Sequence, residues 1–217
     1  MKKVVDINEI KTLIKDGMTI MIGGFLACGT PEKLIDTLVE MNVKELTIIA
    51  NDTAFPDRGI GKLVVNGQVK RVIVSHIGTN PETGRLMNEG KMEVELCPQG
   101  TLIERIRAAG AGLGGVLTPT GVGTIVEEGK QKLNINGKEY LLELPLRADI
   151  ALVKGSIADE MGNVFYKGTT RNFNPIIAFA ADTVIVEAEE IVKVGELKPE
   201  DAMTPGVVVD YIIKGGA

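Results

Sequence analysis

Pro98-Gln99-Gly100-Thr101 follows the expected strand Val94–Cys97, so Gln99 stands where a strand is expected to end. Open α/β sheets collect their active-site groups at such ends. An amide placed there can donate a hydrogen bond to a developing oxyanion or to a substrate carboxylate. Asn51 holds the equivalent place after Glu45–Ala50 and offers the same donor. Taken as residues alone, each amide serves equally well to tie down a turn. His76 is the only histidine; nothing around it completes a triad, and a structural role is the simpler reading. Arg171, ahead of Asn172-Phe173-Asn174, divides evenly between an ion pair and an anion contact. Arg105 and Arg107 are expected on a helix surface, and the Glu127-Glu128 and Glu187–Glu190 runs on solvated faces or strand ends.

The second candidate is a glycine-rich loop. Met18–Ile22 is almost wholly apolar and ends at Gly23-Gly24; Gly29-Thr30-Pro31 then starts a helix, with Thr30 as N-cap and Pro31 at the first helical position. Strand, loop and helix in this order would place the N–H groups of Gly23, Gly24, Phe25, Leu26, Ala27, Cys28 and Gly29 beside the positive end of a helix, a seat for an anionic or carbonyl group. Cys28 reads better as a small space-filling residue than as a reactive thiol. Gly110-Ala-Gly-Leu-Gly-Gly115 matches the dinucleotide pattern formally, but a helix precedes it and Pro119 follows, so its context is wrong. Asp52, after the second strand, is where a ribose-binding acid could sit. It keeps a nicotinamide enzyme open as a minor alternative.

The elements that must position these groups alternate. A helix is expected over Ile7–Lys15, with Asp6 and Glu9 at capping-box spacing. Strands are expected at Met18–Ile22, Glu45–Ala50, Arg71–Ser75 and Val94–Cys97, with helices from Pro31, Asn80-Pro81 and Gln99, the last with Thr101 and Glu104 again at capping-box spacing. A short apolar piece lies near Leu63–Val65. Six glycines between Gly110 and Gly123 look too dense for a regular element. Asn136-Gly137 signals a two-residue hairpin and Gly162-Asn163 a second one. Strands at Ala148–Lys154, Asp182–Val186 and Val207–Ile213, with a helix from Asn174-Pro175, complete the chain and leave Lys214–Ala217 frayed. This tempo predicts an α/β fold: an open, doubly wound, mainly parallel sheet with a hairpin-rich excursion, in one domain over residues 1–217.

Composition narrows the function. A chain of 217 residues with 44% apolar residues can bury a sizeable core. A net charge of −5, no tryptophan and 4% aromatics argue against nucleic acid and anionic membranes as partners. Cys28 and Cys97 form no CxxC and no metal-ligand spacing, so neither a metal nor a permanently bound cofactor is expected. No stretch reaches membrane-spanning length, and the N-terminus lacks a signal-peptide core, so a soluble cytoplasmic protein is expected.

From Asp16 to Pro31 the chain reads Asp-Gly, two positions, three apolar residues, Gly-Gly-Phe, three positions, Gly-x-Pro. This string resembles a signature of the family I coenzyme A transferases. The resemblance continues through Ile49–Ala54, His76–Pro81, Pro98–Leu102, Ala109–Gly112 and Arg171–Pro175, and points to the α subunit of an acetate/acetoacetate type enzyme. It implies a CoA-transferase-like fold and a ping-pong exchange of coenzyme A between a thioester and a carboxylate, through a glutamyl-CoA thioester. It also implies that Gln99 and Asn51 face the reacting acyl group and that Gly23–Gly29 contributes to the coenzyme A site. The family's nucleophile lies in a short Glu-Asn-Gly or Glu-Ser-Gly motif, which this sequence lacks. A β subunit, in an α2β2 assembly, is therefore expected to bring it. The alternatives are a non-catalytic acyl-CoA or nucleotide-binding module, or a sugar-phosphate isomerase or deaminase using the glycine loop as a phosphate cradle.

Overall fold

The computed structural model describes residues 3–216. In chain order it begins α1 (Ile7–Lys11), β1 (Thr19–Ile22), α2 (Glu32–Met41), β2 (Leu46–Ile49), α3 (Gly61–Val65), β3 (Val69–Val74), α4 (Pro81–Asn88), β4 (Glu93–Leu96) and α5 (Gln99–Gly110). Then come β5 (Val116–Thr118), β6 (Lys132–Ile135), β7 (Lys138–Glu143), β8 (Ala148–Asp159), β9 (Val164–Phe165), α6 (Asn174–Ile177), β10 (Ala181–Val192) and β11 (Tyr211–Lys214). The main sheet has the order β11-β10-β8-β1-β2-β3-β4 and is parallel throughout, with β9 added antiparallel to β8. The chain thus winds outward in two directions from β1 and β8, the switch point beside which ligands of open sheets bind. The small sheet β5-β7-β6 is the hairpin-rich excursion.

A parallel sheet needs cover on both faces, and side-chain alternation supplies it. Ile20 and Ile22 of β1 join Leu34, Ile35 and Leu38 of α2 in one core, while Met21 packs on the other face with Leu102 and Ile106 of α5 and Ile177 of α6. Asp6 and Glu9 form the expected capping box. Asn80 caps α4, and Asn136 and Gly137 at φ 51° and 80° make the left-handed turn between β6 and β7.

Several local expectations are corrected. The cap position of α2 is Pro31, not Thr30, and no side chain of its own caps that helix; the Leu34 N–H instead donates to the Glu187 carboxylate, 3.0 Å away. Thr101 and Glu104 form no capping box: Pro98 stands at the cap, and the buried Thr101 hydroxyl has no partner among the described residues. The apolar piece at Leu63–Val65 is the end of the short helix α3. The glycine-dense stretch does hold a strand, β5, because its pairing with β7 comes from well further along the chain, Val116 opposite Glu143. A 3-10 turn occupies Gly206–Val208 and β11 starts only at Tyr211; Lys214 is its last residue rather than a frayed end, and Ala217 lies outside the described residues. Arg105 is buried, bonded to Glu95 and to the Leu144 carbonyl. Glu187, in an acidic run expected to be solvated, is 1% exposed.

Candidate active site

The C-terminal ends of β1, β2, β3 and β4 meet at a cavity of about 410 Å³ lined by Phe25, Leu26, Asn51, Asp52, Ser75, His76 and Gln99. Asn51 and Gln99, 48 positions apart, are in direct contact: Gln99 Nε2 donates to Asn51 Oδ1 at 2.6 Å. Asn51 Nδ2 donates to Asp52 Oδ2 at 2.6 Å, and the Ser75 hydroxyl lies 2.7 Å from the Asn51 carbonyl and 3.3 Å from Asn51 Oδ1. Gln99 opens α5 at the cavity edge, an exposed residue with a second amide hydrogen still free to point inward. His76 is exposed on the same wall, so it belongs to the cavity rather than to the core.

The glycine loop differs from expectation. Its N–H groups are mostly taken up: Gly23 donates to the Leu152 carbonyl, Gly24 to Asn172 Oδ1, Leu26 to Asp52 Oδ2, and Phe25 and Cys28 to one another's carbonyls. Only Ala27 and Gly29 of the seven donate to no partner among the described residues. A phosphate cradle needs several converging free donors, so the isomerase or deaminase reading loses its basis. Leu26 and Ala27 sit at φ 48° and 67°, a tight left-handed turn that carries Phe25 outward. Cys28 is exposed at the turn, its Sγ 3.0 Å from Thr169 Oγ1, and it fills no core space.

The sequence reading missed what holds this loop. Asn172 accepts from Gly24 and donates to the Cys28 carbonyl; Asn174 donates to the Gly29 carbonyl and accepts from the Lys154 N–H. The glycines fit this clamp sterically, since a Cβ on Gly23 would fall 1.8 Å from Asn174 Oδ1. The one available signal was the pair of asparagines flanking Phe173 before Pro175. Asp52 was also misassigned. Leu26, Asn51 and Ala54 all donate to its carboxylate, at 2.9, 2.6 and 2.7 Å. At 4% exposed, with both oxygens already accepting from the chain, it is not presented to a ribose, which removes the basis of the nicotinamide alternative.

Around the cavity, Phe25 also borders a second hollow of about 470 Å³ with Cys28, Thr169, Arg171 and Asn172. Arg171 is exposed and reaches a further hollow of about 580 Å³ shared with Arg107 and Phe179. Cys97 precedes the Pro98-Gln99 turn; burial pushes its thiol up, against the opposing Arg105 guanidinium, so it stays a neutral thiol.

The sequence pattern described as coenzyme A transferase matches residues 6–215. The chain belongs to the coenzyme A transferase family. It is 64% identical over 212 residues to the acetoacetyl-CoA:acetate/butyrate CoA transferase alpha subunit of Clostridium acetobutylicum, covering 98% of this chain and 97% of that one. It is 59% identical over 211 residues to the acetate CoA-transferase subunit alpha of Escherichia coli, covering 97% and 96%. Among solved structures, an acyl-CoA transferase of E. coli O157:H7 in thioester complex with CoA superposes with a TM-score of 0.87 at 26% identity. That match covers 98% of this chain and 47% of the other, so this transferase chain spans about half of that larger one. No helix among the described residues is long and apolar enough to cross a membrane.

Proposed function

We propose that this chain is the α subunit of a two-chain CoA-transferase. It moves coenzyme A between a short-chain acyl-CoA (acetyl-, butyryl- or acetoacetyl-CoA) and acetate or acetoacetate. The whole chain acts as one domain, in a cytoplasmic α2β2 assembly whose β subunit brings the nucleophilic glutamate. The observation that carries this reading is the make-up of the cavity at the strand ends: it offers amide donors, while its one carboxylate, Asp52, is 4% exposed and held by three N–H groups. Such a wall can stabilise an oxyanion but has no free carboxylate with which to attack.

The partner's carboxylate attacks the thioester carbonyl, and the negative charge gathers on the carbonyl oxygen. The free amide hydrogen of Gln99, assisted by that of Asn51, stabilises this charge. Coenzyme A leaves as thiolate to give an acyl-glutamyl anhydride. The thiolate then attacks the glutamyl carbonyl, releases the acyl group as its carboxylate and leaves a glutamyl-CoA thioester. The second carboxylate reverses the steps, so no permanently bound cofactor takes part. The turn Gly23–Gly29 and Phe25 form the wall past which the coenzyme enters, and binding of its tail supplies energy for the chemical step.

The test uses purified chain, acetyl-CoA and acetoacetate, with and without the candidate β subunit. Turnover is expected only with both chains, and mass spectrometry should find the CoA adduct on a β-subunit glutamate. Turnover by this chain alone, or an adduct on one of its own glutamates, refutes the proposal.

A further inference from the structure

Asp52 borders the cavity but is only 4% exposed. Its two oxygens nevertheless determine the state of the cavity wall. An ionised carboxylate can only accept hydrogen bonds, so the end of the Asn51 amide that faces it, 2.6 Å away, must be the NH₂ group. That turns Asn51 Oδ1 toward Gln99, and the Gln99 atom meeting it at 2.6 Å must in turn be Nε2. One buried charge therefore selects one of the two faces of each amide, which otherwise differ little in shape. The same carboxylate accepts from Leu26 at the first residue of the left-handed turn, and from Ala54 one turn along its own loop. Amide pair and apolar wall are thus registered on a single group.

We propose that Asp52 is a positioning residue for the transfer reaction: it locks the Asn51–Gln99 amide pair with a Gln99 N–H aimed at the acyl oxygen. This rests on Gln99 acting as the oxyanion donor. Asparagine cannot replace Asp52, because either orientation of its amide sets an NH₂ against at least one of the Leu26, Asn51 and Ala54 N–H donors. Asn51 would then be free to turn over, and Gln99 with it.

The experiment is a double-mutant cycle on the assembled two-chain enzyme, measuring kcat and KM for acetoacetyl-CoA with acetate. Asp52→Asn should lower kcat about 10- to 100-fold, the range seen when groups orienting a reactive first contact are removed. KM should change by less than about threefold, since transition-state stabilisation rather than binding is lost. Asp52→Asn combined with Gln99→Ala should be no slower than the slower single variant, because both act through one hydrogen bond. A merely structural Asp52 gives losses that multiply, and that result, or normal kcat in Asp52→Asn, overturns the inference while leaving a slow Gln99→Ala in place. Normal turnover in Gln99→Ala overturns both readings together. If Asp52→Asn does not assemble, Asp52→Ser, whose single hydroxyl oxygen cannot hold all three N–H donors, is crossed with Gln99→Ala instead. Losses that multiply there break the relay and refute the proposal.

Discussion

Replacing Gln99 by alanine separates a chemical role from a turn-holding one because the two costs differ in size and kind. Structurally, the side chain makes one hydrogen bond, to Asn51 Oδ1 at 2.6 Å, from an exposed position at the first residue of α5. Its loss should reduce stability by about 0.5–1.5 kcal/mol. At roughly 2–4 °C per kcal/mol for a chain of this length, Tm should fall by only a few degrees. The kinetic cost is larger. Removing one donor to a developing oxyanion raises the barrier by about 2.7–4 kcal/mol, roughly 100- to 1000-fold in kcat. The assay is steady-state transfer from acetoacetyl-CoA to acetate by the two-chain enzyme, normalised to assembled complex, alongside thermal unfolding of the same samples. A kcat within about threefold of wild type, with Tm lowered as above, would show that Gln99 only ties down the Pro98–Thr101 turn, and the assignment of the oxyanion donor would be wrong.

Gly24 lies at φ 131°, and a Cβ there would stand 2.1 Å from Thr30 Oγ1. Gly24→Ala should therefore destabilise the chain by about 1–3 kcal/mol, read by thermal unfolding, before any effect on acyl-CoA use is measured; unchanged stability would refute the left-handed backbone and the close Thr30 contact at this position. Glu187→Ala should cost about 3–5 kcal/mol in denaturant unfolding, because it leaves the buried Lys154 ammonium, 3.2 Å from Glu187, without its main partner and α2 without its carboxylate cap. A loss below about 1 kcal/mol would mean that water reaches Lys154. At Glu95, burial pushes the carboxyl up, but the Arg105 and Arg71 guanidinium groups outweigh it and hold the carboxyl below the ordinary carboxylate range. A depressed folded value contributes stability above the unfolded value that is lost as pH falls through the folded one. Wild type should thus exceed Glu95→Gln in stability at neutral pH and converge with it in acid, and a gap that stays constant down to low pH would refute the pairing.

Much of the fold was legible because its determinants are local. The strand β1, the Asp6–Glu9 capping box, the Asn80 cap of α4 and the Asn136-Gly137 turn each depend on side-chain period or backbone dihedrals within a few consecutive residues. The misreadings were also local in origin: Thr30 precedes Pro31 and Thr101 has capping-box spacing to Glu104, but other residues took both roles. Glu187 reaches the start of α2 from 153 positions away, and Pro98 takes the cap position of α5.

By itself the sequence determined the alternating α/β order, the glycine loop between β1 and α2, the placing of Asn51 and Gln99 at strand ends, and, through the string from Asp16 to Pro31, membership of the transferase family. Only the tertiary structure decided which of these groups meet. Strand order brings β2 and β4 to either side of β3, so that Gln99 reaches Asn51, and it sets Asn172 against Gly24 across 148 positions. It also decided that the loop's N–H groups are occupied and that Asp52 is an internal acceptor. The physical reason lies in hydrogen bonding: a residue's type states what it can donate or accept, but whether that capacity is left for a ligand depends on every buried neighbour that must also be satisfied.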